Sequence, residues 1–177
     1  MRTTQKIQPS NLSEYDFHLG LWKRLQIDYA GPFYGSMWLI WIDAYSKYGN
    51  AEQVSSANGF NTVRKFREIF DMLGDREQIV SDNDTPFTSR EYGEFCNQHG
   101  IRHIWSAPYH PATIGEAERL VQVFKRAIRT NSDPTSYSTS PTSARKFDTE
   151  FEVRRFVQRY CTVPHSITKR TPSKLLF

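Results

Sequence analysis

Residues 37–43, Met-Trp-Leu-Ile-Trp-Ile-Asp, form a nearly unbroken apolar run. A strand with one wet face alternates apolar and polar residues, whereas a run of this kind marks a strand buried on both faces. Its antiparallel partners are expected on either side in the sequence. Before it, Leu25, Ile27 and Tyr29 alternate as a strand does and put Asp28 on the opposite face, with Gly31-Pro32 closing the strand as a turn. After it, a short strand is expected near residues 49–54, and Asp43 with Ser46 is suited to hold the intervening turn.

Helical signals alternate with further short strands. Asn58 to Leu73 reads as a helix whose buried side carries Phe60, Val63, Phe66 or Arg67, and Phe70, with Gly74 as its stop. Gln78-Ile79-Val80 is a short strand that ends at Asp82. Thr88 and Glu91 form a capping box for the next helix, Phe87 and Tyr92 a staple, and Gly100 its C-terminal cap. Arg102 to Trp105 is the last short strand. Beyond it, Ala117, Leu120, Val121, Phe124, Ala127 and Ile128 recur at the spacing of one buried helical face. Phe147, Phe151, Val153, Phe156, Val157 and Tyr160 mark another helix, and Pro172 opens a short terminal one. The fold class is therefore α/β. The chain of 177 residues, 38% hydrophobic and 14% aromatic, is long and apolar enough for one domain with a core. Residues 1–20 read as a linker or extended arm, residues 21–177 as the domain, and the Ser/Thr/Pro-rich stretch 130–143 as a flexible insertion.

Three carboxylates stand where this framework builds sites. Asp28 lies on a strand, Asp82 follows one, and Glu118 opens the helix after Trp105, with thirty-five residues between Asp82 and Glu118. Carboxyl ends of strands are where open α/β sheets form active sites. Glu118, Gln122, Lys125 and Arg129 share a second helical face, so an acid is followed by cations along one stripe. Converging carboxylates suit hard divalent ions, and two such ions about 4 Å apart can serve phosphoryl transfer. Cations beyond them suit DNA phosphates. Each element of this pattern also has an ordinary reading: an Asp at a strand end is commonly a turn residue, and a Glu-Lys-Arg face is commonly just solvated.

The order of motifs adds a resemblance. Gln26-Ile27-Asp28-Tyr29-Ala30-Gly31-Pro32-Phe33, Ile42-Asp43-Ala44-Tyr45-Ser46-Lys47, Ile79-Val80-Ser81-Asp82-Asn83, Ser106-Ala107-Pro108-Tyr109-His110-Pro111, Gly115-Glu116-Ala117-Glu118-Arg119 and Pro164-His165-Ser166 occur in sequence. Over roughly residues 20–177 the chain resembles the catalytic core of retroviral and gypsy-like retrotransposon integrases, of the DDE-type ribonuclease H-like superfamily. The resemblance implies a five-stranded mixed sheet flanked by helices. It implies that Asp28, Asp82 and Glu118 bind two Mg²⁺ or Mn²⁺ ions for 3′-end processing of DNA and strand transfer into a target. Tyr109 becomes a candidate for contacting DNA or positioning the nucleophile, with a packed loop aromatic as the other reading. Lys125 resembles the family's DNA-end-binding lysine, and Gln122 and Arg129 extend that track. The implied partners are element-end and target DNA and further copies of the chain as a homo-oligomer. The implied site of action is nuclear, within an intracellular chain that fits a piece of a larger polyprotein.

Departures fall beside the site. Asp84 stands where the family usually has Gly, where a tight turn would strain a side chain and add charge near the metals; Pro86 replaces a polar residue, and Ile114 an amide. A catalytically inactive integrase-derived DNA- or protein-binding module is therefore the alternative. A ribonuclease H-type nuclease on RNA–DNA hybrids is a weaker third, disfavoured by the lack of a fourth carboxylate and by the 35-residue spacing. The formal net charge of +4 permits a polyanionic partner without demanding one. Cys96 and Cys161 have no metal-ligand spacing, and Cys96 reads as a core thiol beside Tyr92 and Phe95. No Cys-x-x-Cys precedes the core, so no zinc site is expected. No run reaches the roughly 18 apolar residues of a membrane span.

Overall fold

The central apolar run is a strand in the computed structural model, which describes residues 20–33, 35–105, 121–126 and 149–177. This strand, β2 (Ser36–Asp43), is buried from Trp38 to its end. It pairs antiparallel with β1 (Arg24–Phe33) on one side and β3 (Gly49–Val54) on the other. β4 (Gln78–Ser81) joins β1 in parallel, and β5 (Arg102–Trp105) joins β4 in parallel. The order β3-β2-β1-β4-β5 is the expected five-stranded mixed sheet.

Strand alternation sorts the apolar residues onto two faces. Leu25, Ile27, Tyr29, Leu39, Trp41 and Ile79 face one cluster, which the aromatic rings of Phe66, Phe70, Tyr92 and Phe95 complete. These rings come from α1 (Gly59–Leu73) and α3 (Arg90–Gln98), with the single-turn α2 (Thr85–Thr88) between. Ala30, Trp38, Ile40 and Ile42 face the other cluster, with Val121, Phe124, Val153, Val157 and Cys161. That layer comes from residues 121–126, here α4, and from α5 (Thr149–Thr162). α6 (Pro172–Leu176) closes the chain, with Pro172 in its first turn. Cys96 is buried in the first cluster as expected of a core thiol, and Cys161 in the second.

Several local expectations need correction. β1 does not stop at Gly31-Pro32 but continues to Phe33, which pairs with Ser36 after a register shift beyond Ala30. A bulge tolerates a proline that cannot donate to the ladder. The cap of α3 is Ser89, not Thr88: Ser89 Oγ accepts from Tyr92 N at 3.3 Å, because residues 85–88 already form their own helical turn. Phe60 is 71% exposed and Phe151 59%. Each sits one step round the helix from its buried stripe, Phe60 with Arg64 and Arg67, Phe151 with Arg154 and Arg155. The turn expectation stands: Asp43 Oδ2 accepts from Ser46 N and Ser46 Oγ, both at 2.7 Å, while Asp43 Oδ1 accepts from Trp22 N. The α3 terminus also ends as expected at Gly100, with φ +64°. There Ile101 N donates to Cys96 O and Gly100 N to Asn97 O, the paired bonds of a Schellman motif. The arm before residue 20 and the insertion at 130–143 lie outside the described residues. Among the described residues, no helix is long and apolar enough to cross a membrane.

Candidate active site

Asp28 and Asp82 come together because β1 and β4 run in parallel. The last paired residues of that ladder are Gln26 and Val80; Asp28 follows on β1, and Asp82 stands just past the end of β4 at Ser81. Parity puts Asp28 on the face of the sheet that carries Ala30 and Ile40, beneath α4. The charges of Asp28 and of Lys125 on α4 both act on Asp82, so the two carboxylates share one electrostatic environment. Burial is the main cause that raises Asp28 above the ordinary carboxylate value; Lys125 opposes the rise, and Asp84 adds to it. Burial likewise raises Asp82, and the charges of Asp28 and Asp84 push the same way.

Lys125 supplies the counter-charge. Its Nζ lies 3.3 Å from Asp28 Oδ2, across 97 positions of sequence. Val121 and Phe124 anchor that turn of helix in the second cluster, where Phe124 meets Phe156 edge-on at 4.7 Å between ring centres. The other Asp28 oxygen, Oδ1, accepts from Tyr29 N at 2.6 Å. Asp82 Oδ1 accepts from Asp84 N at 3.1 Å. Asp84 itself has φ −64° and ψ 150°. The expected strain of a non-glycine residue at this position is therefore absent, since the backbone there is extended and open to any residue. Pro86 is equally well placed, at the start of the α2 turn where no N–H is needed.

A hydrogen-bonded chain backs the Asp82 segment from the opposite face. Trp105 Nε1 donates to His103 Nδ1 at 2.7 Å, and an indole N–H can only donate. His103 Nε2 therefore carries the proton and donates to Ser81 Oγ at 2.7 Å, and Ser81 Oγ donates to the Asp82 carbonyl at 2.8 Å. Burial lowers the His103 pKa to about 4, so the imidazole is neutral at physiological pH. Sequence reasoning missed this chain. The one signal was the parallel pairing of two short strands, which puts Ser81 opposite Trp105 and close to His103.

Of the other site candidates, Gln122 is exposed on α4. Glu118, Tyr109, Arg129 and Ile114 lie outside the described residues. Among the described residues no group of three His, Cys, Asp or Glu side chains is set to hold a metal ion. What they do offer is a pair of carboxylates with an ammonium already against one of them. Hard oxygen donors that attract a cation fit Mg²⁺ or Mn²⁺.

Comparison with known proteins bears on the fold and the family. The structure superposes on the integrase catalytic core domain of HTLV-2 solved in complex with magnesium, with a TM-score of 0.68 and 17% identity, covering 90% of this chain and 99% of that one. The fold is therefore ribonuclease H-like. A family profile for the integrase core domain matches residues 23–111, half of the sequence, and the chain belongs to that family. An uncharacterised Caenorhabditis elegans protein is 42% identical over 107 residues, which cover 60% of this chain and 8% of that protein. The transposon Tf2-3 polyprotein of Schizosaccharomyces pombe is 26% identical over 163 residues, covering 88% of this chain and 11% of the polyprotein. The chain thus spans about a tenth of the length of these relatives.

Proposed function

We propose that this core is a polynucleotidyl transferase that trims a DNA 3′ end and joins it to a target strand. The observation that carries the reading is the convergence of Asp28 and Asp82 at the end of the β1–β4 ladder in a member of the integrase core family. Asp28, Asp82 and Glu118 are the residues that would hold two Mg²⁺ or Mn²⁺ ions. Bound divalent ions would supply charge stabilisation for the attacking and leaving oxygens of the phosphodiester. The chain's own part is to hold the carboxylates in register through the β1–β4 pairing, fix Asp82 through Asp84 N–H and the Ser81 hydroxyl, and shield the pair by partial burial. Tyr109, Gln122, Lys125 and Arg129 form the proposed DNA track. The same reading places its action on nuclear DNA and in a homo-oligomer. The HTLV-2 core is known in trimeric and dimeric forms, which supports the latter.

The test is Mn²⁺-dependent nicking of plasmid DNA together with joining of a labelled 3′-hydroxyl oligonucleotide to it. We expect Asp28→Asn and Asp82→Asn each to reduce both activities by at least about 100-fold while circular dichroism stays unchanged. Nicking that persists in both variants would sink the assignment. DNA binding with no metal-dependent chemistry in the parent chain would select the non-catalytic binding module instead.

A further inference from the structure

We infer that Lys125 is a resident counter-cation for Asp28, which a divalent ion must displace, and that its displacement frees the ammonium for a DNA phosphate. Loading of the site and grip on the DNA backbone are then coupled through one side chain. The inference rests on the metal-binding reading of Asp28 given above.

Both oxygens of Asp28 are engaged. Oδ1 is held by the N–H of the next residue at 2.6 Å, and Oδ2 by Lys125 Nζ at 3.3 Å. The donor of the first bond belongs to the backbone of a paired strand and stays in place. The second ends on a flexible four-carbon stem. Each oxygen keeps a further lone pair, so what opposes a dication at Oδ2 is the charge of the ammonium seated there. Charge points the same way. One ammonium acts on both Asp28 and Asp82, and the negative charge of Asp84 bears on both as well. A dication offsets that negative cluster better than a single ammonium does, and it repels the ammonium beside it.

The helix itself need not shift. Val121 and Phe124, four residues and one residue before the position, are buried in the sheet-facing cluster, so the Lys125 backbone stays docked while its stem swings. At 24% side-chain exposure the lysine already borders solvent, and Gln122 and Arg126 beside it are exposed. The ammonium is thus delivered to the side from which a polyanion can approach.

The experiment is a pair of titrations on the full chain. Calorimetric Mn²⁺ titration without DNA compares the parent with Lys125→Met, Lys125→Arg and Asp28→Asn. Removing the competitor should tighten Mn²⁺ binding by about three- to tenfold in Lys125→Met, leave Lys125→Arg close to the parent, and weaken Asp28→Asn strongly. Fluorescence anisotropy with a labelled DNA duplex is then read with and without Ca²⁺. Lys125→Met should cost less than about twofold in DNA affinity without the ion and about three- to tenfold with it. Equal Mn²⁺ affinity in the parent and Lys125→Met, with Asp28→Asn still defective, would overturn the displacement and leave the metal site standing. An equal DNA-affinity loss with and without Ca²⁺ would overturn the coupling. Mn²⁺ binding that is absent, or indifferent to Asp28→Asn, would overturn both this inference and the metal-site reading beneath it.

Discussion

Asp82 carries a cost that its neighbours do not remove. Burial, with two nearby acidic residues, raises its pKa above the ordinary 3.8. Between the unfolded and folded values the folded chain binds the extra proton, so stability falls as pH rises through that window and stays lower above it. Asp82→Asn removes the charge while keeping the shape. We therefore expect the metal-free Asp82→Asn chain to melt at a higher temperature than the parent at pH 7, with the difference closing as pH falls toward the ordinary carboxylate range. Thermal melts across that range read this directly, and a parent at least as stable at neutral pH would contradict it. At this scale the approach of Asp28 to Asp82 was legible because their sequence contexts are distinctive. The Lys125 contact with Asp28 was not, because a pairing across 97 positions leaves no local trace. Nor was the role of His103, whose neutrality and tautomer follow from partners brought by separate strands.

Elements meet closely where α1 begins. An added Cβ at Gly59 would lie 2.0 Å from Ser89 Oγ and 2.7 Å from Ser89 Cβ, the residue that caps α3. Gly59→Ala should therefore cost about 1–3 kcal/mol by overpacking and by disturbing that cap. Gly93, inside α3, has nothing within 4 Å of the same added atom. Gly93→Ala should instead stabilise the chain by about 0.4–1 kcal/mol. Urea unfolding of the two variants checks the contrast, and equal effects would refute the close approach. Element type and order were legible from periodicity throughout, and Asn58 was the start signal for α1, where its Oδ1 accepts from Asn61 N. Ends were less so. The α3 cap moved by one residue because a separate helical turn, α2, occupies the positions just before it, and β1 ran on past a proline that a bulge accommodates.

The whole molecule is a sheet with a separate apolar cluster on each face, and only one face carries the paired carboxylates. Among the described residues, the buried residues of the cluster beneath α1 and α3 all fall within 25–101, whereas the carboxylate face depends on α4 and α5. Phe124 is fully buried between those layers and packs on Phe156. Phe124→Ala should cost about 3–5 kcal/mol and loosen the turn that presents Lys125. An unfolding free energy lowered by less than about 1 kcal/mol in a denaturant titration would show that α4 is not held this way. The five-stranded architecture was legible from the doubly buried β2 and from the motif order. Which aromatic residues stay outside it was not, since Phe60 and Phe151 differ from their buried neighbours by a single step around a helix. The long reach of the Lys125 contact also has a meaning in time. The strand pairing that brings Asp28 close to Asp82 lies within residues 24–80, while the ammonium arrives only when a segment 97 positions downstream docks. Closing a longer loop costs more chain entropy. During folding we therefore expect the two aspartates to approach each other before the lysine reaches them.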